Sequence, residues 1–164
     1  MIEQAFLNYS AEQLLTYAGR IEDCLGRLSV EQVWTRNSDN QNAVGNIVLH
    51  LCGNVRQWIL GGVGGQSDLR DRDSEFTARG GVQPSELAAK LKATVAEAAE
   101  VIRNCPIERL MENKTIQKVY NTTLMEAIYH VVEHFAQHAG QIIFATKLLT
   151  NDDLGYYKHL SKSA

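Results

Sequence analysis

The feature that most restricts how this chain can fold is a long segment near its C-terminus whose apolar residues recur at alternating spacings of four and three. An α-helix has 3.6 residues per turn, so this alternation places the apolar side chains along one face of a helix. Thr123 and Glu126 form a capping box directly before the pattern, which predicts where that helix begins. The apolar face consists of Leu124, Ile128, Val131, Phe135, His138, Ile142, Ala145 and Leu149. The segment therefore predicts a long helix that packs against other elements through this face.

Three earlier segments show the same kind of apolar face and predict three further helices. The first is predicted to begin at the capping box Ser10–Gln13 and to end near Leu28. The second covers roughly residues 43–60, and the third begins at Pro84, because proline is favoured at the first helical position. Four helices with one apolar face each predict an all-α four-helix bundle. The length suits one domain, so we expect residues 1–164 to form a single bundle domain.

The predicted connections are polar or rich in glycine. Gly61–Gly65 ends the second helix and opens a loop that reaches about Gln83. Loops of this length are often functional. Residues 115–120 predict a short extended strand or one arm of a hairpin, and Trp34 is expected to pack under one end of the bundle.

Acidic and basic residues alternate over residues 68–76 of the long loop. Two interpretations are open. In the favoured one, the charges tie the loop down through ion pairs, each of which contributes little when exposed. In the other, Arg70 or Arg72 binds an anionic group of a substrate, because a guanidinium group can hold a carboxylate through two hydrogen bonds.

The composition argues against several classes of partner. The net charge is −3 and no block of lysine and arginine occurs, so nothing favours DNA or RNA. No apolar run approaches the ~20 residues of a membrane span, and the N-terminus lacks the regions of a signal peptide. Cys24, Cys52 and Cys105 are odd in number and scattered, which is typical of reduced thiols in a cytoplasmic protein. We expect a cytoplasmic protein that acts on a small molecule, with Cys52 buried in the core and not a metal ligand.

Three of the five histidines, His130, His134 and His138, lie four residues apart. Residues at this spacing are neighbours on one face of a helix, so two imidazoles can reach one metal ion. A third ligand can come from His50 in the second predicted helix, whereas His159 lies in a polar tail. Three histidines with open coordination positions are typical of a catalytic zinc site. We therefore predict a divalent metal site at His50, His134 and His138, with His130 beside it or in packing.

A row of polar residues flanks the apolar face of the second predicted helix: Asn46, His50, Asn54 and Gln57. A solvated face usually carries lysine and glutamate, whereas this row has neutral amides and one imidazole. The row therefore favours a wet internal pocket over a solvated surface.

The residues His50 and His134-x-x-x-His138-Ala139-Gly140-Gln141 resemble the DinB superfamily, and the likeness extends from about Ser10 to Leu149. That superfamily includes bacterial thiol S-transferases acting with bacillithiol and the mycothiol-dependent maleylpyruvate isomerases. Many of its members have arginine where this chain has Ala139, so any role of that arginine is missing here.

The resemblance implies an up-down-down-up bundle with a long crossover between helices two and three, and frequent homodimers. It also implies a divalent metal, commonly Zn or Ni, on His50, His134 and His138.

Three functions follow as hypotheses. The first is a metal-dependent thiol S-transferase or related hydrolase that uses a low-molecular-weight thiol or water as nucleophile. Its candidate catalytic residues are Asn54, Gln57, Arg70 and Arg72. The second is a non-catalytic, stress-related dimer that binds a metal or another ligand. The third is a helical interaction protein with structural histidines.

Overall fold

Four long helices carry the core of the protein, which is described over residues 1–160 by a computed structural model. The α-helices are α1 (Ile2–Arg27), α2 (Val30–Val33), α3 (Val44–Val55), α4 (Arg72–Thr77), α5 (Pro84–Arg103) and α6 (Leu124–Thr150). A π-helical segment, Arg56–Val63, continues α3, and short 3₁₀ turns cover Ile107–Arg109 and Lys158–Leu160. A two-stranded antiparallel hairpin of β1 (Asn113–Ile116) and β2 (Tyr120–Thr123) precedes α6. The protein is thus mostly helical, as predicted.

The core lies between α1, α3, α5 and α6. Helix α1 packs against both α5 and α6, and α3 packs against the same two helices. The apolar face predicted for α6 is confirmed, since most of its residues are fully buried: Leu124, Ile128, Val131, Phe135 and Ile142. His138 is only half-buried, which leaves it at the edge of the core.

The helix ends fix the relative directions of these four helices. Gln32, just after α1, donates a hydrogen bond to the carbonyl oxygen of Leu149 near the end of α6, at 3.0 Å. Trp34 donates from its indole nitrogen to the carbonyl oxygen of Val82 before α5, at 3.0 Å, and its ring lies against Gly45 at the start of α3. Helices α3 and α5 therefore begin at the end of the molecule where α1 and α6 terminate, and Trp34 packs there as predicted.

The predicted start of the first helix at Ser10 is wrong. Helix α1 begins at Ile2, and Ser10 lies inside it, buried. Leu7 is fully buried one turn earlier and extends the apolar face of the helix towards the N-terminus. Burial of that face outweighs the local capping signal at Ser10–Gln13.

The crossover between α3 and α5 is more ordered than its sequence predicts. The helix expected to end near residue 60 continues to Val63 with π-helical geometry, in which i→i+5 hydrogen bonds widen the turn. The crossover also contains α4, whose first turn is capped by the Asp71 carboxylate accepting from the backbone of Ser74. This short helix brings Glu75 and Phe76 against α3.

The predicted extended segment is part of the hairpin, whose tip residues Gln117 and Lys118 have positive φ. The hairpin packs on the π-helical segment, because Ile116 is buried against Gly62, where a side chain would leave no room for it. None of the helices in the described part of the chain is long and apolar enough to cross a membrane.

Candidate metal centre

Three imidazoles from α3 and α6 converge on one point. His134 and His138 lie one turn apart on α6, and His50 faces them from α3; the ligand atoms they offer lie within 4.8 Å of one another. The Nε2 atoms of His50 and His134 are 3.1 Å apart. Two nitrogens bound to one tetrahedral Zn²⁺ at 2.0–2.1 Å lie about 3.3 Å apart. The separation of these two nitrogens is therefore close to that of two ligands sharing one ion.

The protonation of these rings suits metal binding. Burial, followed by the neighbouring imidazoles of His138 and His50, lowers the pKa of His134 to about 3. Burial also lowers the pKa of His138, although its hydrogen bond with Gln141 opposes this. Both rings are thus neutral near neutral pH, the form that binds transition metals. His134 Nδ1 is buried and has no hydrogen-bond partner among residues 1–160.

Two polar side chains contact the Nδ1 atoms of His50 and His138. His50 Nδ1 lies 3.1 Å from Glu75 Oε2, and His138 Nδ1 lies 2.8 Å from Gln141 Oε1. A ring that donates its Nδ1–H to such an acceptor presents the lone pair of Nε2 to the centre. Glu75 and Gln141 therefore contact two of the three histidines at Nδ1. Arg70 Nη2, which can only donate, lies 3.0 Å from the same Nδ1 of His50, so His50 presents the lone pair of Nε2 when Glu75 takes the proton of Nδ1.

Arg70 fixes Glu75. Its guanidinium group donates to both carboxylate oxygens, at 2.7 and 2.8 Å, and the two side chains are 4% and 7% exposed. Burial raises the pKa of Glu75, but the hydrogen bonds from Arg70 and His50 outweigh burial, so that pKa lies below its usual value. Arg70 also donates to Gln57 Oε1 at 2.9 Å. The ion-pair interpretation of the loop is thus confirmed for Arg70, whose hydrogen bonds are used inside the protein.

The backbone of α3 is shaped to receive this ion pair. A Cβ atom at Gly53 would overlap Glu75 Oε1 and crowd Arg70 Nε. Asn46 holds the end of α4 by donating to the carbonyl oxygens of Glu75 and Ala78, at 2.8 and 3.0 Å. Asn46 therefore attaches the crossover to α3. The polar row that includes Asn46 had favoured a wet pocket instead.

The other predicted site residues are distributed around the cluster. Asn54 is buried on α3, and its Oδ1 has no hydrogen-bond partner within the described part of the chain. Gln57 accepts from Arg70 and also from Gln117 of the hairpin tip, at 2.7 Å. Arg72 is exposed and stacks over the ring of Phe76, which in turn contacts His50.

His130 stacks on Trp58 with ring centroids 4.2 Å apart, and its own ring lies 5.6 Å from that of His134. It does not belong to the group of three convergent ligands, in keeping with the prediction that it lies beside the metal ligands or serves in packing.

A cavity of about 360 Å³ lies between α3, the π-helical segment and the crossover. Arg70 and Glu75 line it, as do Cys52, Gln57 and Lys90, whereas none of the three convergent histidines does. Burial raises the pKa of Cys52 to about 11, so this residue remains a thiol at neutral pH. Cys52 is 1% exposed, which agrees with the prediction that it is a core residue.

Sequence reasoning did not identify Glu75 and Gln141 as partners of the histidines. Gln141 follows His138 by three residues, a spacing that places both on one helix face. That signal was present in the sequence. Glu75 lies 25 residues from His50, and no local pattern connects the two.

Comparison with known proteins gives a family and a fold. A family model described as "Protein of unknown function (DUF1572)" matches residues 1–162. Among solved structures, the chain is similar to one described as "Crystal structure of the conserved protein of locus from Enterococcus faecalis". The TM-score is 0.63 at 17% sequence identity, over 88% of this chain and 96% of that chain. This likeness shows a shared fold alone. No curated protein matches the chain.

Proposed function

The chain belongs to the DUF1572 family of proteins of unknown function, and we propose that it is a metal-dependent enzyme with one divalent ion held by His50, His134 and His138. The observation that supports this most directly is the convergence of the three imidazoles, two of them oriented through Nδ1 by Glu75 and Gln141. Zn²⁺ and Ni²⁺ are the ions we propose, because both accept neutral imidazole ligands.

The proposed reaction is thiol S-transfer or a related hydrolysis. When bound, a divalent ion with three protein ligands lowers the pKa of a coordinated thiol or water and so supplies a nucleophile at neutral pH. The chain itself positions the ligands: Arg70 fixes Glu75, and Glu75 fixes His50. Arg72 is exposed beside Phe76, where it can bind an anionic group of a substrate near the cluster.

We extend the proposal to a DinB-like four-helix bundle with up-down-down-up connectivity, and to a homodimer in the cytoplasm. The directions of the helices support this connectivity, since α1 and α6 terminate where α3 and α5 begin. The ordered crossover between α3 and α5 also supports it, because two consecutive parallel helices need a long connection.

One observation favours a second candidate, a non-catalytic dimer that binds a metal or another ligand. Two of the four polar candidates for substrate contact, Arg70 and Gln57, already use hydrogen bonds within the protein. Fewer groups therefore remain to orient a substrate than the sequence indicates.

Metal analysis tests the centre common to both candidates. Untagged parent protein is compared with His134→Ala/His138→Ala and with the control His159→Ala, which alters an exposed histidine outside the cluster. We expect about one equivalent of Zn or Ni in the parent and in the control, and none in the double variant. Absence of bound metal after incubation of the parent with Zn²⁺ and Ni²⁺ would contradict the enzyme and the metal-binding form of the dimer, and would leave a helical protein with structural histidines.

A thiol-conjugation assay then separates the two candidates. Metal-loaded protein is incubated with low-molecular-weight thiols and a panel of electrophiles, and the loss of free thiol is measured. An enzyme gives conjugation that His138→Ala abolishes. Stoichiometric metal without conjugation or hydrolysis supports the non-catalytic dimer.

A further inference from the structure

The hairpin of β1 and β2 contacts the surroundings of the candidate metal centre through its tip. Gln117 at that tip donates from its side-chain Nε2 to Gln57 Oε1 on the π-helical segment, at 2.7 Å. The two residues are 60 positions apart, so the contact joins distant parts of the chain. The residues assigned to the metal centre all lie outside the hairpin, and this contact therefore calls for an explanation.

Gln57 is a junction of three segments: the π-helical segment, the hairpin and the crossover. Its Oε1 accepts from Gln117 and also from Arg70 Nη1, at 2.9 Å. Its Nε2 donates to Asp68 Oδ2 at 2.7 Å, and Oδ1 of Asp68 accepts the backbone N–H of Arg70 at 3.1 Å. Both ends of the Gln57 amide therefore hold Arg70, one of them directly and the other through Asp68.

The position of Arg70 determines how His50 is held. Arg70 Nη2 lies 3.0 Å from His50 Nδ1, and Glu75 Oε2 lies 3.1 Å from the same atom. A guanidinium group only donates, whereas an ionised carboxylate only accepts. His50 presents the lone pair of Nε2 to the cluster when Glu75 takes the Nδ1 proton, and presents an N–H there when Arg70 donates to Nδ1. A small displacement of Arg70 relative to Glu75 therefore shifts the balance between these two forms.

The geometry of the ion pair shows what Gln57 contributes. Arg70 binds the Glu75 carboxylate through Nε at 2.7 Å and through Nη2 at 2.8 Å. Nη1 is the third nitrogen of the guanidinium group, and Gln57 is its acceptor. Because the group is planar, an acceptor at Nη1 fixes its rotation and keeps the other two nitrogens on Glu75. The Arg70 side chain is buried, so water is a poor substitute for this acceptor.

We propose that Gln57 is a positioning residue for His50, which acts through Arg70 and Glu75, and that Gln117 makes the hairpin tip part of the same support by fixing Gln57. The hydrogen bonds form one continuous chain from the hairpin to a metal ligand. The inference rests on the proposed metal centre and gives the hairpin a role in it.

Zn²⁺ affinity, measured in competition with a chromophoric chelator, tests this chain of contacts. Gln57→Leu removes both ends of the amide at similar size, and we expect it to weaken Zn²⁺ binding by roughly 2- to 10-fold, the effect of one or two hydrogen bonds. Gln117→Ala should weaken binding by about 2- to 3-fold, since it removes one contact of Gln57. The hairpin itself should remain attached in this variant, because Ile116 is buried against Gly62.

Lys118→Ala is the matched control for Gln117→Ala. Lys118 is exposed at the same hairpin tip and also has positive φ, so the backbone effect of alanine is similar at the two positions. This variant should bind Zn²⁺ as tightly as the parent.

A double variant shows whether Gln117 acts through Gln57. If it does, Gln117→Ala has no further effect on top of Gln57→Leu, and the double variant should lose no more Zn²⁺ affinity than Gln57→Leu alone. Two residues that merely stabilise the fold at separate places would give losses that add.

A spectroscopic measurement reports the effect on His50 itself. In ¹⁵N spectra of the histidine rings of chelator-treated protein, Gln57→Leu should raise the share of His50 that carries its proton on Nε2, because Arg70 is then free to turn towards Nδ1. Lys118→Ala should leave the His50 signals of the parent unchanged.

Three results would overturn the inference. One is unchanged Zn²⁺ affinity in Gln57→Leu while His134→Ala/His138→Ala abolishes binding, a result that leaves the metal centre itself standing. The second is additive losses in the double variant, which would mean that Gln57 and Gln117 act separately. The third is an equal loss in Lys118→Ala, which would assign the effect to the backbone of the hairpin tip. A parent protein that binds no Zn²⁺ contradicts the proposed function and this inference with it.

Discussion

Glu75 connects the candidate metal centre to the crossover between α3 and α5. Its carboxylate accepts from Arg70 through both oxygens and also lies within hydrogen-bond distance of His50 Nδ1. All three side chains are buried. The carboxylate thus balances a buried cation and orients a ligand at the same time.

Glu75→Gln should therefore lower both stability and metal affinity. The substitution leaves Arg70 as a buried cation without a counter-charge, which costs about 3 kcal/mol in the free energy of unfolding. Metal affinity should fall by roughly 10-fold or more, since His50 loses its charged acceptor. Urea unfolding of the metal-free protein and Zn²⁺ competition measure the two effects. Glu100→Gln is the control, because its pair with Arg103 is largely exposed and should contribute little; equal stability of the two variants would contradict the argument.

Gln141 offers a contrasting case, because it is exposed. It accepts from His138 Nδ1 at 2.8 Å, as Glu75 does from His50, but water can replace its amide oxygen. Gln141→Leu should therefore leave the free energy of unfolding unchanged and reduce Zn²⁺ affinity less than Glu75→Gln does. The same titrations rank the two variants. A larger loss of Zn²⁺ affinity in Gln141→Leu than in Glu75→Gln would mean that burial does not determine how strongly these two side chains support the histidines.

Gly53 determines how closely α4 approaches α3. Glycine inside a helix normally costs about 0.5–1 kcal/mol relative to alanine, so its presence in α3 calls for a packing reason. The reason is the carboxylate of Glu75, which lies where a Cβ atom would be. The ion pair rests directly on the helix backbone.

Gly53→Ala should consequently destabilise the protein by about 1–3 kcal/mol, the usual cost of overpacking a buried contact, and should weaken metal binding by displacing Glu75. Gly19→Ala is the matched control: at this exposed glycine of α1, no atom of the residues that the structure describes lies within 4 Å of an added Cβ. The control should be stabilised by about 0.5–1 kcal/mol. Thermal and urea unfolding distinguish the two, and stabilisation of both would show that Glu75 moves aside without cost.

These elements also show how far the sequence predicts the structure. The apolar periodicity and the capping box at Thr123 predict the position and the start of α6 correctly, because both are local signals. The start of α1 was missed because burial of Leu7 outweighs the signal at Ser10. The histidines of the candidate site could be grouped from their spacing on one helix. Glu75 could not, because the short helix that carries it is held by Asn46 and Arg36 from distant parts of the chain.

The protein as a whole has several titratable groups whose protonation differs between the folded and unfolded chains. The pKa of His134 falls from 6.5 to about 3 on burial, and the pKa values of His130 and His138 are lowered as well. Between about pH 3 and pH 6.5, His134 therefore binds more protons in the unfolded chain than in the folded chain. Stability must rise with pH through that window, since the state that binds more protons is favoured by acid. The lowered pKa of Glu75 acts in the same direction, because the ion pair with Arg70 is lost as the carboxylate is protonated.

The metal-free protein should accordingly lose stability as the pH falls from about 7.5 to about 5, and His134→Gln should reduce that loss. Glutamine keeps a polar side chain of similar reach but cannot take up the proton that the unfolded chain binds at His134. Urea unfolding of chelator-treated parent and variant at both pH values gives the two slopes. The control His159→Gln alters an exposed histidine and should leave the slope of the parent unchanged. Equal slopes in the parent and in His134→Gln would mean that His134 is not buried in its neutral form, and its proposed role as a metal ligand would then lack its physical basis.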